Sequence, residues 1–196
     1  MSTEQASFER AVSLVEALIF ANAEPVKPKK LVDMLSAQGL EAMVEQLEEV
    51  IAAVEQRYEG HAVELCAVAG GWQLRTRESV APALAKTVEK PRRLSRSAME
   101  ALAVVVYHQP CTRVEIETIR GVTLGQNILD RLLEEGLIAP KGRKAVPGRP
   151  VLWGTTPMFL RVFGLDTLSD LPRREELVVE PSSDDDSVHG RTETAS

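Results

Sequence analysis

Ile138-Ala139-Pro140-Lys141-Gly142-Arg143-Lys144-Ala145-Val146-Pro147-Gly148-Arg149-Pro150-Val151-Leu152-Trp153-Gly154-Thr155 decides how this chain of 196 residues is read. Two strand-like runs, 138–141 and 151–155, flank a basic loop rich in glycine and proline. Three helical patterns precede them, over 94–107, 112–120 and 126–135, the first two joined by a tight turn at Gln109-Pro110. Helix, helix, helix and hairpin is the order of a winged helix, a helix-turn-helix with a β-hairpin wing. Such a unit binds DNA or protein and seldom catalyses anything, so the sequence poses the question of which partner it serves.

Local punctuation supports these elements. Thr112 with Glu115 fits a capping box, and Ser97 with Glu100 fits one too. Gly121 and Gly136 stand where helices end, and Thr156-Pro157 opens a closing helix that stops at Gly164.

The same plan occurs earlier in the chain. Glu16-Ala17-Leu18 leads to Pro25 as Glu100-Ala101-Leu102 leads to Pro110, at offsets of 84 and 85 residues. Short helices are expected over 28–36 and 41–58, followed by strands over 61–68 and 72–76 that turn through Ala69-Gly70-Gly71. Val63, Leu65 and Ala67 should share a sheet face with Trp72 and Leu74. The fold class is therefore α+β, mainly α with small β-hairpins, built from two tandem winged-helix domains. The expected boundaries are 6–86 for the first domain, 87–96 for a basic linker, 97–172 for the second domain and 173–196 for a disordered acidic tail.

Charge and composition narrow the function. The net charge is −6, of which −4 lies in the seven acids and three bases of 173–196. Expected recognition helices carry Glu41, Glu45, Glu48, Glu49 and Glu55 in the first copy and Asp130, Glu134 and Glu135 in the second. Carboxylates on that face repel phosphate, so strong direct DNA binding is not expected. The wing's Lys141, Arg143, Lys144 and Arg149 offer only a weak phosphate contact. Cys66 and Cys111 read as reduced thiols, and the three histidines fall at no metal-ligand spacing. His108 lacks a nucleophile pattern, and no glycine-rich loop opens a helix, so neither enzyme nor cofactor is expected. No apolar run reaches the ~20 residues that a membrane span needs.

Val44, Leu47, Ile51, Val54 and Tyr58 recur at steps of three and four, with Met43 and Val50 alongside. This arc looks broader than one small core requires, which makes the five residues dimerisation candidates beside the domain-core reading.

Ala98 to Tyr107, Gln109-Pro110, Thr112-Arg113-Val114-Glu115-Ile116-Glu117, Gly142-Arg143, Pro147-Gly148-Arg149-Pro150, Phe163-Gly164-Leu165 and, in the first half, Gly71-Trp72-Gln73-Leu74-Arg75-Thr76 resemble the segregation and condensation protein B family. Cys111, where that family usually has an aliphatic residue, and Trp153, where Tyr is common, depart from its pattern without changing residue character. The resemblance implies a cytoplasmic, nucleoid-associated homodimer joined through its first domains. It also implies binding to the kleisin ScpA (segregation and condensation protein A) and, through it, action with the SMC ATPase in chromosome condensation and segregation. On that reading Tyr107, Gln109, Arg113, Glu117, Arg120, Arg149 and Trp153 are partner-binding candidates, the polar ones exposed by pattern. The alternative is a winged-helix transcription regulator that binds DNA itself.

Overall fold

A computed structural model describes residues 3–84 and 94–173, with only the backbone of Gln126 included. Most of the expected linker and residues 174–196 of the expected tail lie outside the described residues. The fold is mixed α and β, with two small antiparallel sheets.

In the first half, α1 (Thr3–Phe20), α2 (Pro28–Ala37), α3 (Glu41–Glu45) and α4 (Leu47–Arg57) enclose one aliphatic core against the hairpin β1 (Val63–Val68) and β2 (Gly71–Thr76). Helix α5 (Ala81–Leu84) follows. The second half runs α6 (Arg96–His108), β3 (Cys111–Thr112), α7 (Arg113–Arg120), α8 (Gln126–Glu134), β4 (Ile138–Arg143), β5 (Val151–Thr155) and α9 (Pro157–Phe163), then a 3-10 turn at Leu168–Asp170. It encloses a second, separate core.

The expected helix over 41–58 is broken at Gln46, whose φ of −103° and ψ of 22° end α3 and start α4. The break turns Met43 and Val50 onto the same core as Ile51 and Val54, and all four are buried there. The breadth of the apolar arc is thus taken up inside the chain.

Each hairpin has an extended neighbour that short-range pattern did not announce, an isolated bridge in the first half and the two-residue strand β3 in the second. Val26 bridges Trp72, and Cys111 pairs with Trp153, each one residue after a proline. The two halves share this plan, which gives the 85-residue offset a physical meaning: an extended strap closes each hairpin.

Hairpin geometry follows the turn chemistry. Val68 pairs with Gly71, so the loop is two residues, Ala69 and Gly70, both at positive φ (51° and 72°). Leu65 stands opposite Leu74 and Ala67 opposite Trp72, on the shared face expected. The β4–β5 ladder shifts register between Pro140 and Arg143. Capping agrees at Thr112, Gly121, Thr156 and Gly164. At α6 the cap is Ser95, whose hydroxyl accepts from the Ala98 N–H, while the expected Ser97–Glu100 box is not formed. Glu100 is used elsewhere.

Candidate partner-binding site

The second half presents α7, the end of α6 and the β4–β5 hairpin around one another. Helix α7 is anchored by a full capping box in which Thr112 accepts from the Glu115 N–H at 3.3 Å and Glu115 accepts from the Thr112 N–H at 2.7 Å. The same carboxylate takes the Thr112 hydroxyl at 2.9 Å and the Lys144 ammonium at 2.5 Å. With Lys144 first and the two Thr112 donors after it, the Glu115 carboxyl is held down to about 2. One of the four hairpin cations is therefore tied to the helix. A second, Arg143, donates to the Arg149 carbonyl at 3.1 Å. Lys141 and Arg149 remain exposed on the hairpin.

Most of the polar candidates are engaged inside the fold. Arg113 donates to Glu117 at 3.1 Å and to the Leu124 carbonyl, while Glu117 accepts the Leu124 N–H at 3.0 Å. This pair locks the turn between α7 and α8. It holds the Glu117 carboxyl below its ordinary range, first through the Leu124 N–H and then through Arg113. Gln109 spans from α6 to β5: its Oε1 accepts the Thr155 N–H at 2.7 Å and the Thr155 hydroxyl at 2.9 Å.

The exposure expected for Arg120 is corrected. Its side chain is 6 % exposed, reaching back under α7 to Glu100 at 2.9 Å, with Nε and Nη1 lacking a partner among the described residues. Periodicity placed Arg120 on an outer face, but α6 covers that face. Glu100 also accepts from Arg96, and these two cations, Arg120 first, lower its carboxyl from the ordinary value.

Tyr107 donates to the Pro172 carbonyl at 2.9 Å beside a shallow groove lined by Leu168, Leu171 and Pro172. Trp153 is half-buried against the second core. Beside it, burial pushes the Cys111 thiol up to about 11, with the Glu115 charge adding to the effect. This is an inert packing thiol.

The outer face of α7 is aliphatic instead. Val114 is 66 % exposed, Ile119 46 % and Val122, just past the helix, 54 %. Of the aliphatic residues of α7, Ile116 alone is buried in the core.

The dimerisation candidates divide similarly. Ile51 and Val54 belong to the chain's own core, and Val44, Leu47 and Tyr58 are half-buried against it. Tyr58 donates to Glu16 at 3.0 Å, and Arg57 bridges Glu16 and Glu9 at 2.7 and 2.9 Å, closing α4 onto α1. Burial first, then the Glu16 hydrogen bond, raises the Tyr58 hydroxyl. An open groove of about 820 Å³ lies alongside, lined by Phe8, Ala52, Ala53, Glu49, Gln56 and Arg77. Among the described residues there is no His, Cys, Asp and Glu grouping that could hold a metal, and no helix is long and apolar enough to cross a membrane.

The chain matches known proteins along nearly all of the described length. The model of the segregation and condensation complex subunit ScpB covers residues 13–174. A segregation and condensation protein B from Symbiobacterium thermophilum is 40 % identical over 86 % of this chain and 75 % of its own. The protein of that name from Bacillus subtilis is 40 % identical over 88 % of each. A crystal structure of ScpB from Mycobacterium tuberculosis is 29 % identical, covering 81 % of this chain and 97 % of its own, at a TM-score of 0.36. On the extent of the family match and the identity shared with these relatives, the chain belongs to the segregation and condensation complex subunit ScpB family.

Proposed function

We propose that the chain is a non-enzymatic scaffold of a bacterial SMC–kleisin complex, acting in the cytoplasm at the nucleoid. Its two halves, 6–86 and 97–172, are read as tandem winged-helix domains. The first joins two copies, and the second holds a segment of the kleisin ScpA, through which the chain meets the SMC ATPase. Family membership over residues 13–174 carries this reading. The repeated strap, Val26 on Trp72 and Cys111 on Trp153, supports the tandem architecture.

Within that reading the groove between α1 and α4, rather than the buried Ile51 and Val54, is the dimer surface. The kleisin surface is the aliphatic face of Val114, Ile119 and Val122, flanked by Tyr107, Arg149 and Trp153. Gln109, Arg113, Glu117 and Arg120 act behind it by fixing α7 and β5.

The test is capture of the kleisin by the full chain, followed by mass measurement of the complex. Val114→Glu should weaken capture at least about tenfold, or about 1.4 kcal/mol, with the melting temperature nearly unchanged. Arg113→Ala should instead lower the melting temperature by leaving the Leu124 carbonyl without its donor, and Arg120→Ala should lower it by removing a buried side chain packed between α7 and α6. Kleisin binding indifferent to Val114→Glu in a folded protein places the contact elsewhere. Failure of the wild-type chain to bind any kleisin refutes the scaffold reading itself.

A further inference from the structure

Among the described residues the polar contacts between the two halves form one compact set, and its chemistry assigns it a role. The β1–β2 loop has two amides that the hairpin ladder cannot use, since Val68 pairs directly with Gly71. Both are satisfied by the other half. The Ala69 N–H donates to the Leu165 carbonyl at 2.8 Å, and the Gly70 N–H donates to Asp166 Oδ1 at 2.6 Å.

Arg75, from β2, reaches the same stretch. Its Nη2 donates to the Arg161 carbonyl at 2.5 Å, in the last turn of α9, while its Nε donates to Gln73. A cation at the carbonyl end of a helix is favourably placed. The guanidinium lies so close to Gly164 that a Cβ there would stand 2.9 Å from Nη1, at a residue whose φ is already +71°. The Arg161 side chain, in return, pairs with Glu24 from the first half. Residues 161–166 thus receive four interactions from Glu24, the hairpin turn and Arg75.

What the contact lacks is as informative. Glu24 is 71 % exposed in its pair with Arg161, and the Asp166–Gly70 bond is open to solvent. Beside these bonds an unfilled cleft of about 270 Å³ separates the halves, lined by Pro25, Lys27, Ala69, Pro157 and Met158. A permanent interface between domains is large and apolar, whereas a small polar one leaves relative motion as the default. Exposed charge pairs are individually weak and are screened by salt.

We infer that the β1–β2 turn with Arg75 and the 161–166 stretch form a releasable electrostatic clasp, which holds the halves in one orientation at low ionic strength and lets them separate at high ionic strength. The clasp does not depend on which partner the protein serves. Its chemistry provides a reversible way to present the two halves either as one composite surface or as two independent ones.

Hydrogen exchange on the full chain tests it, because amides in a two-residue hairpin turn are ordinarily unprotected. At about 50 mM salt Ala69 and Gly70 should exchange at least roughly tenfold more slowly than an open turn. At about 500 mM they should approach the open rate, while the Trp72 amide, bonded within its own half to Val26, stays protected. Asp166→Ala should remove the protection of Gly70, and Arg75→Gln should reduce that of Ala69, both leaving Trp72 unchanged. Unprotected turn amides in the wild type at low salt overturn the clasp, and protection indifferent to salt overturns its release. Protection that grows with protein concentration moves the contact to a second copy and overturns the intramolecular assignment.

Discussion

Glu115 shows how one side chain ties a hairpin to a helix. Its carboxylate closes the α7 capping box and receives Lys144 from the β4–β5 hairpin. Because the folded pKa is depressed to about 2 from an ordinary value of 4.5, the folded state favours the charged form. The unfolded chain therefore binds the proton first as pH falls. The stabilisation is fully present above about pH 4.5 and is lost progressively as pH falls toward 2. Both partners are well exposed, so solvent screens much of it. In urea melts at pH 5 and pH 3, Glu115→Gln should lose less stability between the two than the wild type does. An equal loss in both proteins would assign the acid sensitivity to other carboxylates. Thr112→Ala, which removes the buried hydroxyl cap, should cost about 1 kcal/mol at pH 5.

At the scale of elements, the straps set the tightest tolerances. Gly71 is buried where β2 meets the Val26 strap, and a Cβ there would stand 2.7 Å from the Val26 carbonyl oxygen. The neighbour is backbone and cannot rotate aside. Gly71→Ala should therefore destabilise the protein by about 1–3 kcal/mol, as overpacking does, measured as a lower denaturant midpoint. A neutral outcome would mean that Val26 is not held against Trp72. The elements themselves were legible because periodicity, caps and the glycine-bearing turn at Ala69-Gly70 act over few residues. The straps were not, since one or two extended residues after a proline have no period to read. The break at Gln46 was equally silent, as neither Gly nor Pro marks it and only the demand of the core for both Met43 and Val50 explains it. Arg113, Glu117 and Arg120 were read as surface charges because helical spacing reveals which face a residue occupies, but not that Leu124 or α6 lies over that face. The same limit hid Val114, Ile119 and Val122 as the exposed residues around α7.

For the whole molecule, charge decides what approaches. The net charge is −6, and α4 turns exposed Glu48, Glu49 and Glu55 to solvent. On the basic hairpin, Lys144 is paired with Glu115 and Arg143 bonds its own loop, which leaves Lys141 and Arg149 as the outward cations. Two to four phosphate contacts give a shallow salt dependence and weak binding. A duplex mobility shift at about 150 mM salt should show no complex at micromolar protein. Micromolar affinity that is lost on neutralising Arg143, Lys144 and Arg149 would instead support direct DNA recognition by the hairpin.

The straps also give the protein a built-in pair of optical reporters. The chain has two tryptophans, and each is the residue on which a strap closes, Trp72 in one half and Trp153 in the other. Replacing either with phenylalanine leaves an indole whose emission follows one half alone. Unfolding curves from the two single-tryptophan proteins then read the cooperativity of the chain directly. Coincident midpoints mean that the halves lose structure as one unit, and separated midpoints mean that each melts on its own.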